Sequence, residues 1–232
     1  MEIFDSLIKE VSELIEPYSK TEYSYEKGNS WEDVGHNQVI LQKETKIELD
    51  GVGFNLLTSS NIDDSIVVVG KDLQELKENS KFARICFIEF CEAEDIQKTY
   101  NLIRKIEYTK YHFFPDGYMI RTSSKAHKES VRVSKNAVKN GISFQKIGNL
   151  LINKYKENPA VKGVKVVFVT EDAVDFSKLE NLSRKNHEIT ETLNQVINNL
   201  TFDCDTCKLK PICDEVEGMK ELHFKTSGRK ED

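Results

Sequence analysis

Residues 65–70 read SIVVVG. Ile66, Val67, Val68 and Val69 are all apolar and β-branched. Such side chains are stiff at χ1 and suit a pleated backbone. A half-exposed strand would alternate apolar with polar residues, so the unbroken run predicts a strand covered on both faces. Such a strand needs neighbouring strands on its edges and helices on its faces.

The flanking sequence supplies both. Downstream, KDLQELKEN (71–79) predicts a short helix, FARICFIEF (82–90) a second buried strand, and AEDIQKTYNLIRKIEY (93–108) a helix. GYMIRTSS (117–124) reads as a strand. Residues 134–158, SKNAVKNGISFQKIGNLLINKYKEN, predict one or two helices, with Ser143 as an N-cap. VKGVKVVFVTED (161–172) reads as a strand and residues 176–200 as a long helix. Upstream, residues 38–60 read as a strand pair, with Asp50-Gly51 and Gly53 as turn or bulge signals. Phe4, Leu7, Ile8, Val11, Leu14 and Ile15 recur at helical spacing, and Pro17 closes that first helix. Residues 18–37 between them form a polar connection dotted with aromatics, Trp31 among them. The predicted class is α+β: a mixed β-sheet packed with helices, preceded by an N-terminal helix. The predicted division is a helix and connection over 1–36, one α+β domain over 37–200, a cysteine-rich segment over 201–224, and a disordered tail over 225–232.

Composition narrows the class of function. The 232 residues are 38% hydrophobic and 31% charged, with a net charge of −6. An acidic balance weighs against general nucleic-acid binding, which needs cations to neutralise phosphates. No apolar run approaches the roughly 20 residues of a membrane span. The opening MEIFDSLIKEVSELIEP lacks the basic start and apolar core of a signal peptide, so the expected location is the cytoplasm. The lysines and Arg132 between Lys125 and Lys165 form a locally basic stretch suited to an anionic ligand or acidic partner.

Three of the five cysteines fall within ten residues, Cys204, Cys207 and Cys213, in the spacing C-x2-C-x5-C. A C-x-x-C turn delivers two thiolates to one ion, and a third nearby closes back on it. Pro211 stiffens that return. Asp205, Lys208 and Lys210 keep the loop polar, which argues against three core thiols. Thiolate ligation points to an iron–sulfur cluster, with 4Fe–4S favoured, or to zinc. His223 would complete a Cys3His zinc site. Cys86 or Cys91 would supply a fourth thiolate for a cluster. A redox-active C-x-x-C lacks its strand-then-helix context here.

A second signal lies in the middle of the chain. It comprises the valine-rich strand ending in Gly70-Lys71-Asp72-Leu73, the stretch Arg132-Val133-Ser134-Lys135, and the strand leading into Thr170-Glu171-Asp172. Over about residues 45–180 this order resembles the central domain of the acetyl-CoA synthase (β) subunit of the carbon monoxide dehydrogenase complex. The resemblance implies anaerobic one-carbon metabolism, a protein partner of the carbon monoxide dehydrogenase/acetyl-CoA synthase type, and a coenzyme A-like anion as ligand. It places Arg132 and Lys135 on a family-like element, and Arg121 in YMIRTSS is a further candidate for the same anion or partner. The family's nickel–iron–sulfur site uses a Cys-x-Cys, which this chain does not contain. The expected role is therefore an iron–sulfur or metal-binding accessory protein, in place of full acetyl transfer. The alternatives are a zinc-stapled interaction domain without redox role, and a divergent enzyme using an open iron. No P-loop, dinucleotide fingerprint, H-E-x-x-H or Ser/His/Asp set is present.

Overall fold

A computed structural model describes residues 2–27, 42–91, 96–123, 128–197 and 210–215. Among these residues, seven strands form one sheet: β1 (Lys20–Ser24), β2 (Lys46–Thr58), β3 (Ser65–Val69), β4 (Ser80–Phe90), β5 (Tyr118–Ser123), β6 (Lys128–Ser134) and β7 (Val161–Val169). Six helices accompany them: α1 (Asp5–Ile15), α2 (Ile96–Tyr108), α3 (Lys135–Lys139), α4 (Phe144–Lys156), α5 (Phe176–Ile197) and α6 (Lys210–Glu215). The sheet order is β1-β3-β7-β4-β2-β6-β5. Strands β3 and β7 run parallel, as do β2 and β4; the remaining neighbours are antiparallel. This is the expected α+β class with a mixed sheet and an N-terminal helix.

SIVVVG lies near the middle of one half of that sheet, between β1 and β7, with Ile66 to Val69 all buried. Successive strand residues point to opposite faces, and β4 shows what covers each. Phe82 stacks on Phe144 of α4, 5.9 Å between ring centroids, and lies 6.2 Å from Phe168 of β7. Its neighbour Lys81 sits over the ring of Phe176 at the start of α5. Helix α4 therefore covers one face and α5 the other, with α1 packed against α5. Gly148 lets α4 approach closely, since a Cβ there would stand 2.4 Å from Ile66 Cγ1.

Three local expectations are corrected. Residues 46–58 form one continuous strand, not two strands separated by a turn or bulge at Asp50-Gly51 and Gly53. Glycine inside a strand marks close approach as well as a turn: a Cβ on Gly51 would lie 1.7 Å from the Phe82 carbonyl oxygen, and one on Gly53 about as near the Glu129 carboxylate, 2.1 Å. The segment 71–79 is a series of turns, not a helix. Its backbone is tied locally, with Asp72 N–H donating to Glu75 Oε2 and Glu75 N–H donating to the Asp72 carbonyl. Leu73 and Leu76 still bury, which fastens the crossover to the core. Finally, the polar connection contributes edge strand β1, its five residues pairing with all of β3. Exposure along β1 hid it from a hydrophobic pattern.

Candidate functional site

A cleft of about 1140 Å³ lies at the end of the sheet where β3 and β7 finish and β2 and β4 begin. Strand register puts Arg121, Ser130, Asp50 and Lys81 in one row across β5, β6, β2 and β4. A second row joins Arg132 to Glu48. The start of α5 closes one side with Phe176, Ser177 and Glu180. The turn after β3 brings Lys71, and the end of β7 brings Thr170 and Asp172.

The motifs that marked the middle of the chain build this rim. Gly70 has φ of +102°, a conformation open to glycine, and reverses the chain after β3. Asp72 accepts hydrogen bonds from the N–H groups of Leu73, 2.5 Å, and Phe144, 2.8 Å, locking the turn to the first residue of α4. Burial pushes the Asp72 carboxyl above its ordinary range, partly offset by those two donors. Thr170 Oγ1 donates to the Lys71 carbonyl at 2.7 Å, joining the ends of β3 and β7. Ser134 caps α3, accepting from Asn136 and Ala137 N–H.

Cleft charges are mixed. Six basic and six acidic side chains line it, so it presents placed cations and not a uniform positive field. Arg132 Nε donates to Glu48 Oε1 at 2.8 Å, and Lys46 pairs with the same carboxylate. The hydrogen bond from Lys46, with that from Arg132, holds Glu48 below the usual carboxylate range despite some burial. Lys128 pairs with Glu180. Of the residues singled out for an anion or partner, Arg121 and Arg132 come together here, whereas Lys135 is exposed on α3 and does not line the cleft.

Behind the cleft strands lies a buried polar network absent from the sequence expectations. Arg84 forms a two-pronged ion pair with Glu129, Nε to Oε1 at 2.8 Å and Nη2 to Oε2 at 2.7 Å. Its Nη1 reaches Cys86 Sγ at 3.1 Å and Tyr155 Oη at 3.2 Å. Tyr155 Oη donates to Asn55 Oδ1 at 2.7 Å, and Asn55 Nδ2 donates to Glu107 at 2.9 Å. Burial opposes the Arg84 charge, yet Glu129 and its neighbours outweigh it and hold the guanidinium pKa well above ordinary. Glu129 sits between Lys128 and Ser130, so the pair fixes the strand whose opposite side presents cleft groups. The signal for it was an arginine inside the apolar run FARICFIEF.

The proposed metal ligands fall differently. Cys86 belongs to the buried network, where burial pushes its thiol up. Cys91 is exposed just past β4, its N–H donating to the Ala160 carbonyl. Cys204, Cys207 and His223 lie outside the described residues, and so does the side chain of Cys213, whose backbone is in α6. Among the described residues no group of three His, Cys, Asp or Glu side chains is arranged to hold a metal. Ile212, next to Cys213, is buried in the main core, and α6 packs on α5. Also among the described residues, no helix is long and apolar enough to cross a membrane.

Residues 24–174 match the family described as the CO dehydrogenase/acetyl-CoA synthase complex beta subunit. The match begins earlier than the stretch carrying the sequence resemblance and takes in the end of β1. No curated protein matches the chain.

Proposed function

From the premise that the chain belongs to the CO dehydrogenase/acetyl-CoA synthase complex beta-subunit family, we propose that it is an iron–sulfur-binding accessory member of that family in anaerobic one-carbon metabolism. The observation that carries the reading is the spacing of Cys204, Cys207 and Cys213, C-terminal to the matched residues 24–174, with Ile212 beside the third of them buried in the core. Three thiols so close in sequence, among polar residues, are a donor set for soft metal ligation, and a 4Fe–4S cluster suits them. A bound cluster supplies one-electron transfer or an open iron. The chain lacks the Cys-x-Cys of the family's nickel site, so acetyl transfer is not assigned to it. The cleft is assigned to a phosphate-bearing anion of the coenzyme A type, held by Arg121 with Lys71, because neither forms an ion pair among the described residues while Arg132 is tied to Glu48.

The test is iron and acid-labile sulfide content of protein purified without oxygen, beside Cys204→Ser. Iron and sulfide together, both lost in the variant, are the expected result. Zinc without sulfide would replace the cluster by a structural staple. No metal in either protein would overturn the metal reading altogether.

A further inference from the structure

Among the described residues the exposed large apolar side chains are Tyr108, Tyr111 and Phe114, at 47%, 44% and 75% exposure. All lie within one seven-residue stretch: Tyr108 ends α2, Tyr111 lies in the single turn of 3-10 helix (Thr109–His112) that follows, and Phe114 is just beyond it. Scattered exposed apolar residues need no explanation, but their confinement to one spot marks an interaction surface. The platform is ordered: Phe113 between them is buried and meets the Tyr118 ring edge-on at 6.5 Å.

The stretch itself is basic, with Glu191 of α5 an acidic neighbour in the adjoining hollow. Residues 96–114 carry Lys98, Arg104, Lys105 and Lys110 against Glu107 alone, in a chain of net charge −6. Glu107 is engaged by Asn55 Nδ2. Arg104 lies over the rings of Tyr100, 5.9 Å, and Tyr108, 5.5 Å, while Lys110 lies 5.5 Å over Tyr111. Cations spread over exposed rings present charge and flat apolar area together. Beside them is a hollow of about 200 Å³ lined by Tyr100, Tyr108 and Asn186. Asn186 is 3% exposed, and its Oδ1 is buried without a hydrogen-bond partner. A buried acceptor left unpaired is costly.

We propose that this face is the docking surface for an acidic segment of a partner protein that carries an aromatic or apolar anchor. The anchor packs against Tyr108, Tyr111 and Phe114, and carboxylates meet Arg104 and Lys110. Opposite charge favours a polypeptide acid here, while the acidity of the remaining chain repels a long polyanion such as RNA. The proposal does not rest on the cysteines, so its failure leaves the metal reading standing, and the converse also holds.

The test uses the full chain and a fluorescently labelled random glutamate–tyrosine copolymer, followed by anisotropy. Polyglutamate and polyuridylate serve as comparison polymers, and sedimentation reports self-association. The copolymer is expected to bind more tightly than polyglutamate and to weaken with salt. Binding should fall at least about ten-fold in Tyr108→Ala/Tyr111→Ala/Phe114→Ser, whose melting temperature stays near that of the parent because the rings are exposed. Lys110→Glu should weaken it without touching an anchor ring. Copolymer binding unchanged in both variants, or no binding at millimolar concentration, would overturn the proposal. Preference for polyuridylate, or self-association abolished by the triple variant, would also overturn it by assigning the face to RNA or to a second copy.

Discussion

Arg84 and Glu129 show how much one pair of residues decides. Both are essentially without solvent exposure, so neither charge is tolerable without the other. Gly53 is the enabling residue, because its missing side chain is the space the Glu129 carboxylate occupies. Removing one partner, as in Arg84→Met or Glu129→Gln, should cost about 3–5 kcal/mol, and the double variant Arg84→Met/Glu129→Leu less than the worse single. Urea unfolding of the three variants measures this; strictly additive losses would contradict a coupled pair. An arginine within FARICFIEF already announced that a buried partner was required. Its identity was not legible, because Glu129 lies 45 residues away and meets Arg84 only across β2.

Among the elements, α4 was read from sequence together with its cap. Ser143 Oγ accepts from Lys146 N–H at 3.3 Å, satisfying one of the helix's unpaired first-turn donors. Ser143→Ala should therefore lower stability by about 1 kcal/mol, measured by chemical denaturation, with the sheet unchanged by circular dichroism. A loss near zero would mean that Asp72, which takes the Phe144 N–H, caps the helix alone. Strand β2 was the harder element. Its Asp-Gly step has the local chemistry of a turn, but tertiary contacts on both edges held it extended through Thr58. Local turn propensity is worth little against a ladder paired on two sides.

At the scale of the whole molecule, sheet order assembles the cleft from β2, β4, β5, β6, the ends of β3 and β7, and the start of α5. If it takes a coenzyme A-like anion, Arg121→Glu should weaken coenzyme A roughly ten-fold in calorimetric titration, about 1.4 kcal/mol, the scale of one hydrogen bond to a charged group. Lys135→Glu should leave the affinity unchanged, since that side chain is outside the cleft. Equal losses in both would move the ligand to the α3 face.

The sequence by itself determined the kind of most elements, because unbroken valine runs, helical periodicity and a Ser cap act over a few residues. It also exposed the clustered cysteines, whose spacing is local chemistry. Only the tertiary structure decided that Asp50-Gly51-Val52-Gly53 continues a strand, that an exposed polar stretch becomes edge strand β1, and that Arg121 and Arg132 share a cleft while Lys135 does not. Those outcomes depend on which strands lie side by side. Adjacency in a sheet is set by packing among residues far apart in the chain, a property that no window of sequence contains.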